Sequence, residues 1–356
     1  MSGPLLDIRG LTIGIPNRNG PPLQIVRDLS FDIMPGEIFG LVGESGSGKS
    51  ASALALMGLN RRPLTTLKGQ ALYGGQDLLA MSRRSMRKLR GDRISMIFQE
   101  PMTALNPLAR IGSQIAEMFV LHRGLSWSDA RPKAVEALAA VQVPDPEGRA
   151  RAYPHQLSGG LRQRVMIAVA MACRPDLLIA DEPTTALDVT VQAEVLRLIR
   201  ELCEREGTAV LLISHDLGVI AQMCQRVGVM ANGRLLELRD AKALFTDPRH
   251  PYTQGLLAAL PRLGSRAVEG RHRLADLDTA IDRNAPASPR PISGPGEKPR
   301  ERRDPSFTRK RTDPVGQGPA CAVSRRRRPA AATPDRPRGQ RRGSGGPARA
   351  VRQSCR

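Results

Sequence analysis

An eight-residue glycine-rich segment constrains the fold of this chain more than any other feature. It fits the pattern GxxxxGK[ST], it follows the short apolar segment Ile38–Val42, and it leads into the helix-forming segment Ser50–Met57; its residues are Gly43, Glu44, Ser45, Gly46, Ser47, Gly48, Lys49 and Ser50. Glycines allow such a loop to curl so that its backbone N–H groups face phosphate oxygens at the positive end of a helix dipole. Lys49 is expected to reach the β- and γ-phosphates, and Ser50 to offer its hydroxyl to Mg²⁺. By itself the motif predicts only that a nucleoside triphosphate binds to these residues.

A second candidate element is a short apolar segment that ends in two carboxylates. Leu177–Ala180 reads as a buried strand, and Asp181 and Glu182 follow it directly. Sheets in α/β proteins bind their ligands at the carboxyl ends of the strands, which is where both side chains would lie. Asp181 is therefore a candidate Mg²⁺ ligand, and Glu182 is a candidate to polarise an attacking water. Apolar segments followed by two acids are common, so this pattern gains weight only from the motifs around it.

The order of apolar segments predicts an α/β fold. The strand-like segments Ile38–Val42, Leu177–Ala180 and Ala209–Ile213 alternate with helix-like segments, of which Val189–Arg205 is one. Alternation of this kind is typical of a parallel sheet that is covered by helices on both faces. The chain is thus expected to place the glycine-rich loop and the two carboxylates at the same edge of one sheet.

Hairpins and a helical region complete the predicted framework. Residues Leu5–Ile33 alternate apolar and polar side chains around Asn-Gly and Pro-Pro breaks, and Val227–Leu238 surrounds Asn232-Gly233. Both patterns are typical of β-hairpins. Residues 82–143 are predicted to be mostly helical, with these candidate helices: Met86–Leu89, Ile111–Leu121 and Asp129–Val141.

The net charge of +20 is concentrated at the end of the chain. Residues 265–356 hold 23 Lys and Arg against nine Asp and Glu, whereas residues 1–264 hold 31 against 25. Pro, Arg, Gly, Ser and Ala dominate this end, and such a composition buries too little apolar surface to fold. We interpret residues 264–356 as a disordered tail or as a frameshifted reading of a GC-rich gene. The rival interpretation is a genuine basic tail that meets anionic lipid or RNA.

Cysteine usage and hydropathy exclude several classes of protein. The five cysteines are scattered, so neither a disulfide framework nor a zinc site is expected; they are Cys173, Cys203, Cys224, Cys321 and Cys355. Apolar runs such as Val165–Cys173 are far shorter than a membrane span needs. Residues Met1–Gly10 lack the basic and apolar regions of a secretory signal. The chain is therefore expected to remain in the cytoplasm without crossing a membrane.

Further motifs resemble the ABC-type ATPases. The signature motif of that superfamily is matched by Leu157-Ser158-Gly159-Gly160 and the following Leu161-Arg162-Gln163-Arg164. Gly160 lies 17 residues before Leu177, where the second apolar segment begins. Three shorter motifs also match: Gln99 in Phe98–Pro101 resembles the Q-loop, Thr185–Asp188 the D-loop, and His215 the switch histidine. The resemblance implies a P-loop NTPase of ABC type, in which a parallel sheet core carries an antiparallel β flank and an inserted helical subdomain. The ATPase domain would span residues 1–263 and the helical subdomain about residues 82–157.

The resemblance also implies roles for individual residues. Ser158, Gly159 and Gly160 would bind the ATP held by an opposite subunit, since a helix N-terminus offers backbone N–H groups to phosphate. Gln99 would contact Mg²⁺ beside Ser50 and Asp181, and His215 would contact the γ-phosphate. The implied catalytic residues are Glu182, His215 and Gln99. One departure is that Ile15 stands where the family usually stacks adenine on an aromatic side chain.

Longer segments narrow the resemblance to the oligopeptide/dipeptide/nickel importer group: Phe98–Pro107, Ala180–Asp188 and Asp247–Thr253. This resemblance implies an ATP-hydrolysing subunit on the cytoplasmic face of the inner membrane, with ATP and Mg²⁺ as cofactors. The implied partners are two integral-membrane permease subunits, a second ABC ATPase subunit in a hetero- or homodimer, and, indirectly, an extracytoplasmic substrate-binding protein.

The resemblance leaves the cargo open, with peptides favoured over nickel or glutathione. A different class, a non-transport ABC ATPase that acts on nucleic acid, would explain the basic tail. Such proteins carry a long coiled-coil insertion or two ATPase cassettes in one chain, and neither occurs in this sequence. A nucleic-acid-reading module would also interleave basic and aromatic residues, yet aromatic residues make up only 3% of the chain. No nucleic-acid partner is therefore expected.

Overall fold

The computed structural model describes residues 3–17, 20–60, 66–100, 104–185 and 187–259. All of them belong to the first of two compact units, residues 1–294. The predicted tail at residues 264–356 lies outside the described residues, so disorder and a frameshift both stay predictions. Within the described part, no helix combines the length and the apolar character that a membrane span requires.

The central element is a six-stranded sheet. Its strands in chain order are β3 (Ile38–Gly43), β6 (Ile94–Ile97), β7 (Leu177–Asp181), β8 (Ala209–Ser214), β9 (Arg226–Ala231) and β10 (Arg234–Asp240). They lie in the order β10-β9-β3-β8-β7-β6, and all neighbours are parallel except β9 and β10. This arrangement confirms the predicted parallel sheet and brings the ends of β3, β7 and β8 side by side.

A second, antiparallel sheet has four strands. They are β1 (Leu6–Asn17), β2 (Gly20–Ile33), β4 (Thr66–Tyr73) and β5 (Gln76–Asp77), in the order β2-β1-β4-β5. The predicted hairpin over Leu5–Ile33 is confirmed as β1 and β2, and the hairpin over Val227–Leu238 as β9 and β10. Asn232 and Gly233 both have positive φ, as a tight two-residue hairpin turn requires.

Helices pack on the sheets. In chain order they are α1 (Lys49–Leu56), α2 (Arg83–Leu89), α3 (Ile111–Arg123), α4 (Trp127–Ala140), α5 (Pro146–Arg151), α6 (Gly159–Met171), α7 (Val189–Glu206), α8 (Leu217–Met223), α9 (Ala241–Thr246) and α10 (Pro251–Ala258). Side chains start several of them: Ser158 caps α6, and Asp188 caps α7 by accepting a hydrogen bond from the Val191 N–H. The three candidate helices predicted between residues 82 and 143 are confirmed as α2, α3 and α4.

Alternating side chains of the parallel strands supply two separate cores. In β7, Leu177 and Ile179 pack with the antiparallel sheet and α1, whereas Leu178 and Ala180 pack with the helices on the opposite face. All five residues of β7 are buried, as expected for a central parallel strand. Both faces of β7 are covered, and Asp181 is its last residue. Asp181 therefore lies at the edge of the sheet where the parallel strands have their carboxyl ends.

The prediction that residues 82–143 are mostly helical is wrong for Ile94–Ile97. This segment forms β6, which pairs in parallel with β7 from Ile94–Leu177 to Ile97–Ala180. A buried run of only four residues carries no readable period, so pattern alone does not separate strand from helix. Met86 and Ile94 lie in the core shared with the antiparallel sheet, whereas α3 and α4 contribute to the other core. The predicted start of the helical subdomain at residue 82 stays a prediction.

An ion-pair cluster ties the two sheets together beside β9. The Arg226 guanidinium lies 3.0 Å from Asp32 Oδ1 and 3.4 Å from Glu37 Oε2. The Arg226 Cζ atom also lies 5.6 Å from the centre of the Phe39 ring. The hydrogen bond from Arg226 is the largest influence that holds the pKa of Asp32 below its usual value of 3.8. The cluster therefore stabilises the folded state while Asp32 is charged.

We expect Arg226→Met to lower the free energy of unfolding by about 1 kcal/mol at pH 7, because ion pairs that remain in partial contact with solvent contribute on that order. Asp32 has a lowered pKa when folded, so its stabilisation is present above pH 3.8 and is lost as the pH falls through the folded value. Urea denaturation at several pH values measures the difference. Arg234→Met is the control, since Arg234 is exposed and has no ion pair within the described residues. Equal losses for both variants, or a loss that persists on acidification, would contradict the expectation.

Candidate nucleotide-binding site

The glycine-rich loop connects β3 to α1, and its glycines are required by close packing. A Cβ atom on Gly43 would lie 2.0 Å from the Met230 carbonyl oxygen. At Gly48 φ is 102°, and a Cβ atom there would lie 2.7 Å from the Ile25 carbonyl oxygen. Strands β2 and β9 therefore approach the loop too closely for any side chain at either position. Gly46 differs, because its φ is 81° but no atom lies within 4 Å of a Cβ built there.

Lys49 is enclosed by this loop. Lys49 is 4% exposed, and its Nζ donates hydrogen bonds to the carbonyl oxygens of Gly43 and Glu44, both at 2.8 Å. A third, longer bond reaches Ser47 Oγ at 3.3 Å. Burial lowers the pKa of Lys49, and the carboxylates of Glu182, Asp181 and Glu44 partly offset that effect. The ammonium group is thus positioned inside the loop where a phosphate would bind.

Ser50 and Asp181 come together from separate parts of the chain. Ser50 Oγ donates to Asp181 Oδ1 at 2.9 Å, which joins the start of α1 to the end of β7. Asp181 is 5% exposed, and this burial is the main reason that its pKa is raised. A hydroxyl and a carboxylate are both oxygen donors of the kind that Mg²⁺ binds beside substrate phosphates. The residues present therefore fit a magnesium ion.

Glu182 is the centre of a hydrogen-bonded group. Its Oε2 accepts from Gln99 Nε2 at 3.1 Å and from Thr185 Oγ1 at 2.9 Å, and its Oε1 lies 3.2 Å from His215 Nδ1. Gln99 follows β6, and His215 follows β8, so the parallel strands bring both side chains to Glu182. A cleft at this point is lined by Glu182, Thr184, Thr185, Leu187, Gln192, Ser214, His215 and Asp216.

The signature segment lies apart from this group. Ser158 caps α6, and its Oγ accepts a long hydrogen bond of 3.4 Å from the Leu161 N–H. Ser158 and Gly159 are exposed, and a Cβ atom on Gly160 would lie 2.9 Å from Val191. Within the described part of the chain, no hydrogen bond or ion pair joins this segment to the residues around Glu182. The predicted site residues therefore form one assembled group and one separate, exposed helix N-terminus.

Comparison with known proteins identifies the family. Residues 26–185 match the family described as ABC transporter, and residues 236–284 match the oligopeptide/dipeptide transporter, C-terminal region. The oligopeptide transport ATP-binding protein OppD of Salmonella typhimurium is 48% identical over 268 residues, which cover 74% of this chain and 78% of OppD. The chain belongs to the ABC transporter ATP-binding proteins.

Other relatives support the same assignment. The dipeptide transport ATP-binding protein DppD of Escherichia coli is 47% identical over 277 residues, which cover 78% of this chain and 83% of DppD. Among solved structures, the dimeric ATP-binding cassette MJ0796 bound to ADP and Pi is similar, with a TM-score of 0.59 and 26% identity. That similarity covers 66% of this chain and 98% of the cassette. This ABC protein is therefore an ATPase of the predicted fold class. The match to the oligopeptide/dipeptide transporter C-terminal region, at residues 236–284, continues past the predicted domain end at residue 263.

Two features of this ABC ATPase site were not predicted from sequence. Thr185 was recognised only as part of a D-loop motif, yet its hydroxyl binds the Glu182 carboxylate directly. Gln192, from the first turns of α7, lines the cleft and donates to Asp216 Oδ2 at 3.3 Å. A polar residue on an amphipathic helix carries no sign of such a role, so only the tertiary contact between α7 and Asp216 could identify it.

Ile15 lies in an apolar pair at the far end of the β1–β2 hairpin. It pairs across the strands with Leu23, and the two residues are 44% and 62% exposed. Leu23 belongs to β2, which contacts the glycine-rich loop through Ile25 and Val26 at Gly48. An exposed apolar surface thus lies on the hairpin whose second strand contacts the glycine-rich loop.

Proposed function

We propose that ATP hydrolysis at the group around Lys49 and Glu182 powers uptake of peptides across the cytoplasmic membrane. The observation that carries this proposal is the convergence of Lys49, the Ser50–Asp181 pair and the Glu182 cluster at the carboxyl ends of four parallel strands. Each of these groups matches one requirement of phosphoryl transfer: a positive charge that binds the phosphates, a metal site, and a residue that orients the attacking water.

The side chains divide these tasks. Lys49 binds the β- and γ-phosphates of ATP, while Ser50, Asp181 and Gln99 hold Mg²⁺. Magnesium bound there would neutralise phosphate charge. Glu182 accepts a proton from, or polarises, the attacking water, and His215 contacts the γ-phosphate. The raised pKa of Asp181 fits this arrangement, because a buried carboxylate gains most from a nearby cation.

The exposed signature segment serves a second nucleotide. Ser158, Gly159 and Gly160 present a helix N-terminus to solvent, which is a favourable position for a phosphate carried by another subunit. The partner is a second ABC ATPase subunit, identical or related, as the dimeric cassettes among the similar structures suggest. Two integral-membrane permease subunits would convert closure of this dimer into transport on the cytoplasmic side of the membrane. An extracytoplasmic binding protein would deliver the cargo.

The adenine base contacts apolar side chains in this proposal. Ile15 and Leu23 supply an exposed aliphatic surface in place of a stacking ring. Aliphatic contact is not specific for one base, so discrimination between ATP and GTP is expected to be weak.

Peptides are the favoured cargo because OppD and DppD are described as oligopeptide and dipeptide transport proteins. Nickel and glutathione are the alternatives. Uptake of a labelled dipeptide, nickel and glutathione in source cells that carry Lys49→Ala, beside unaltered cells, tests the proposal. We expect only dipeptide uptake to fall to background, since the buried ammonium group is lost. Loss of nickel or glutathione uptake instead would identify that alternative as the cargo.

A further inference from the structure

The backbone around Glu182 is held in an unusual conformation by its neighbours. Glu182 has a φ of 47°, a left-handed value that costs a residue with a side chain about 1–3 kcal/mol. Its N–H donates to the Ile213 carbonyl at 2.9 Å, and its own carbonyl accepts from the Thr185 N–H at 3.2 Å. The segment from Glu182 to Thr185 is therefore a tight turn that follows β7, is bonded to β8 through Ile213 and closes on Thr185.

The Thr185 hydroxyl adds a side-chain bond to this turn. Its Oγ1 donates to Glu182 Oε2 at 2.9 Å, a shorter distance than the 3.1 Å from Gln99 Nε2 to the same oxygen. Thr185 is branched at Cβ and has few rotamers, so its hydroxyl position follows from the backbone of the turn. Gln99 in contrast reaches Glu182 from a distant part of the chain on a long side chain. Thr185 is thus the most local of the contacts on this carboxylate.

The two oxygens of Glu182 consequently have different surroundings. Oε2 receives both the Thr185 hydroxyl and the Gln99 amide, whereas Oε1 is 3.2 Å from His215 Nδ1. A carboxylate whose one oxygen is fixed by two donors cannot rotate freely about its last bond. Its other oxygen then keeps one direction within the cleft shared with His215.

We propose that Thr185 is a positioning residue for ATP hydrolysis, because its hydroxyl fixes Glu182 Oε2 and thereby aims Oε1 at the attacking water. This inference rests on the proposed role of Glu182. Thr185 is assigned no contact with nucleotide, and it acts only through Glu182. Its loss should therefore slow the chemical step without weakening ATP binding.

Steady-state phosphate release by the purified full-length chain tests this proposal with two variants. Thr185→Val keeps the shape and removes the hydroxyl, whereas Thr185→Ser keeps the hydroxyl. We expect Thr185→Val to lower kcat by about 10- to 100-fold with KM for ATP unchanged, since misplacing a reacting group costs up to that much. Thr185→Ser should retain most of the activity. Thr190→Val, the same change at an exposed threonine of α7, is the matched control and should leave kcat unchanged.

A double-mutant comparison separates this inference from the proposed function. In a Glu182→Gln background, Thr185→Val should cause no further loss in single-turnover hydrolysis, because its effect passes through the carboxylate. Normal kcat for Thr185→Val, equal loss for the serine variant, or a raised KM would overturn the positioning role. A Glu182→Gln protein that hydrolyses ATP normally would instead overturn the proposed role of Glu182. Unchanged melting temperatures show that the variants fold.

Discussion

Glu182→Gln is expected to lower the rate of ATP hydrolysis by about 10²- to 10⁴-fold, the usual contribution of a positioned general base. The amide has nearly the same shape as the carboxylate, so the turn at Glu182 and its backbone bonds to Ile213 and Thr185 should persist. ATP should still bind, because Lys49 and Ser50 are unchanged. The substitution therefore separates binding from hydrolysis.

Phosphate release and equilibrium binding of a fluorescent ATP analogue, measured on the same protein, check this expectation. Glu204→Gln is the control, because Glu204 is an exposed residue near the other end of α7 and has no ion pair within the described residues. Loss of both binding and hydrolysis in Glu182→Gln would show that Glu182 supports the fold of the site. Retention of both would exclude it as the base.

Gly43→Ala is expected to lower the free energy of unfolding by about 3 kcal/mol and to abolish ATP binding. A Cβ atom at this position would lie 2.0 Å from the Met230 carbonyl oxygen, and a backbone atom in the sheet cannot move aside cheaply. Either β9 or the loop must shift. A shift of the loop would displace the Gly43 carbonyl that accepts a hydrogen bond from Lys49 Nζ.

Gly46→Ala is the matched comparison for this prediction. Gly46 lies in the same loop and has a positive φ of 81°, but a Cβ atom there meets nothing within 4 Å. It should cost only the left-handed strain, about 1–2 kcal/mol. Thermal melting and ATP binding of both variants measure the contrast. Equal effects would show that backbone conformation, rather than the contact with Met230, explains the glycine at position 43.

The amino-acid sequence alone predicts the candidate site residues and most of the architecture. The glycine-rich loop, the pair Asp181-Glu182 and the segments around them are local patterns, in which each residue type is required by its immediate neighbours along the chain. The alternation of strands and helices predicts the parallel sheet. That sheet places Ser50 Oγ 2.9 Å from Asp181 Oδ1. Such motifs can be recognised in a single sequence because their residues are close neighbours along the chain.

Which of these side chains contact one another depends on the tertiary structure. Strand Ile94–Ile97 was missed because four buried residues show no period, and its identity comes from pairing with β7. The contacts to Glu182 come from Gln99, Thr185 and His215, and two of these residues, Gln99 and His215, follow other strands. The contact of Gly43 with Met230 likewise joins residues far apart in sequence. Such contacts depend on strand order and close packing. Residue patterns along a single chain do not predict them.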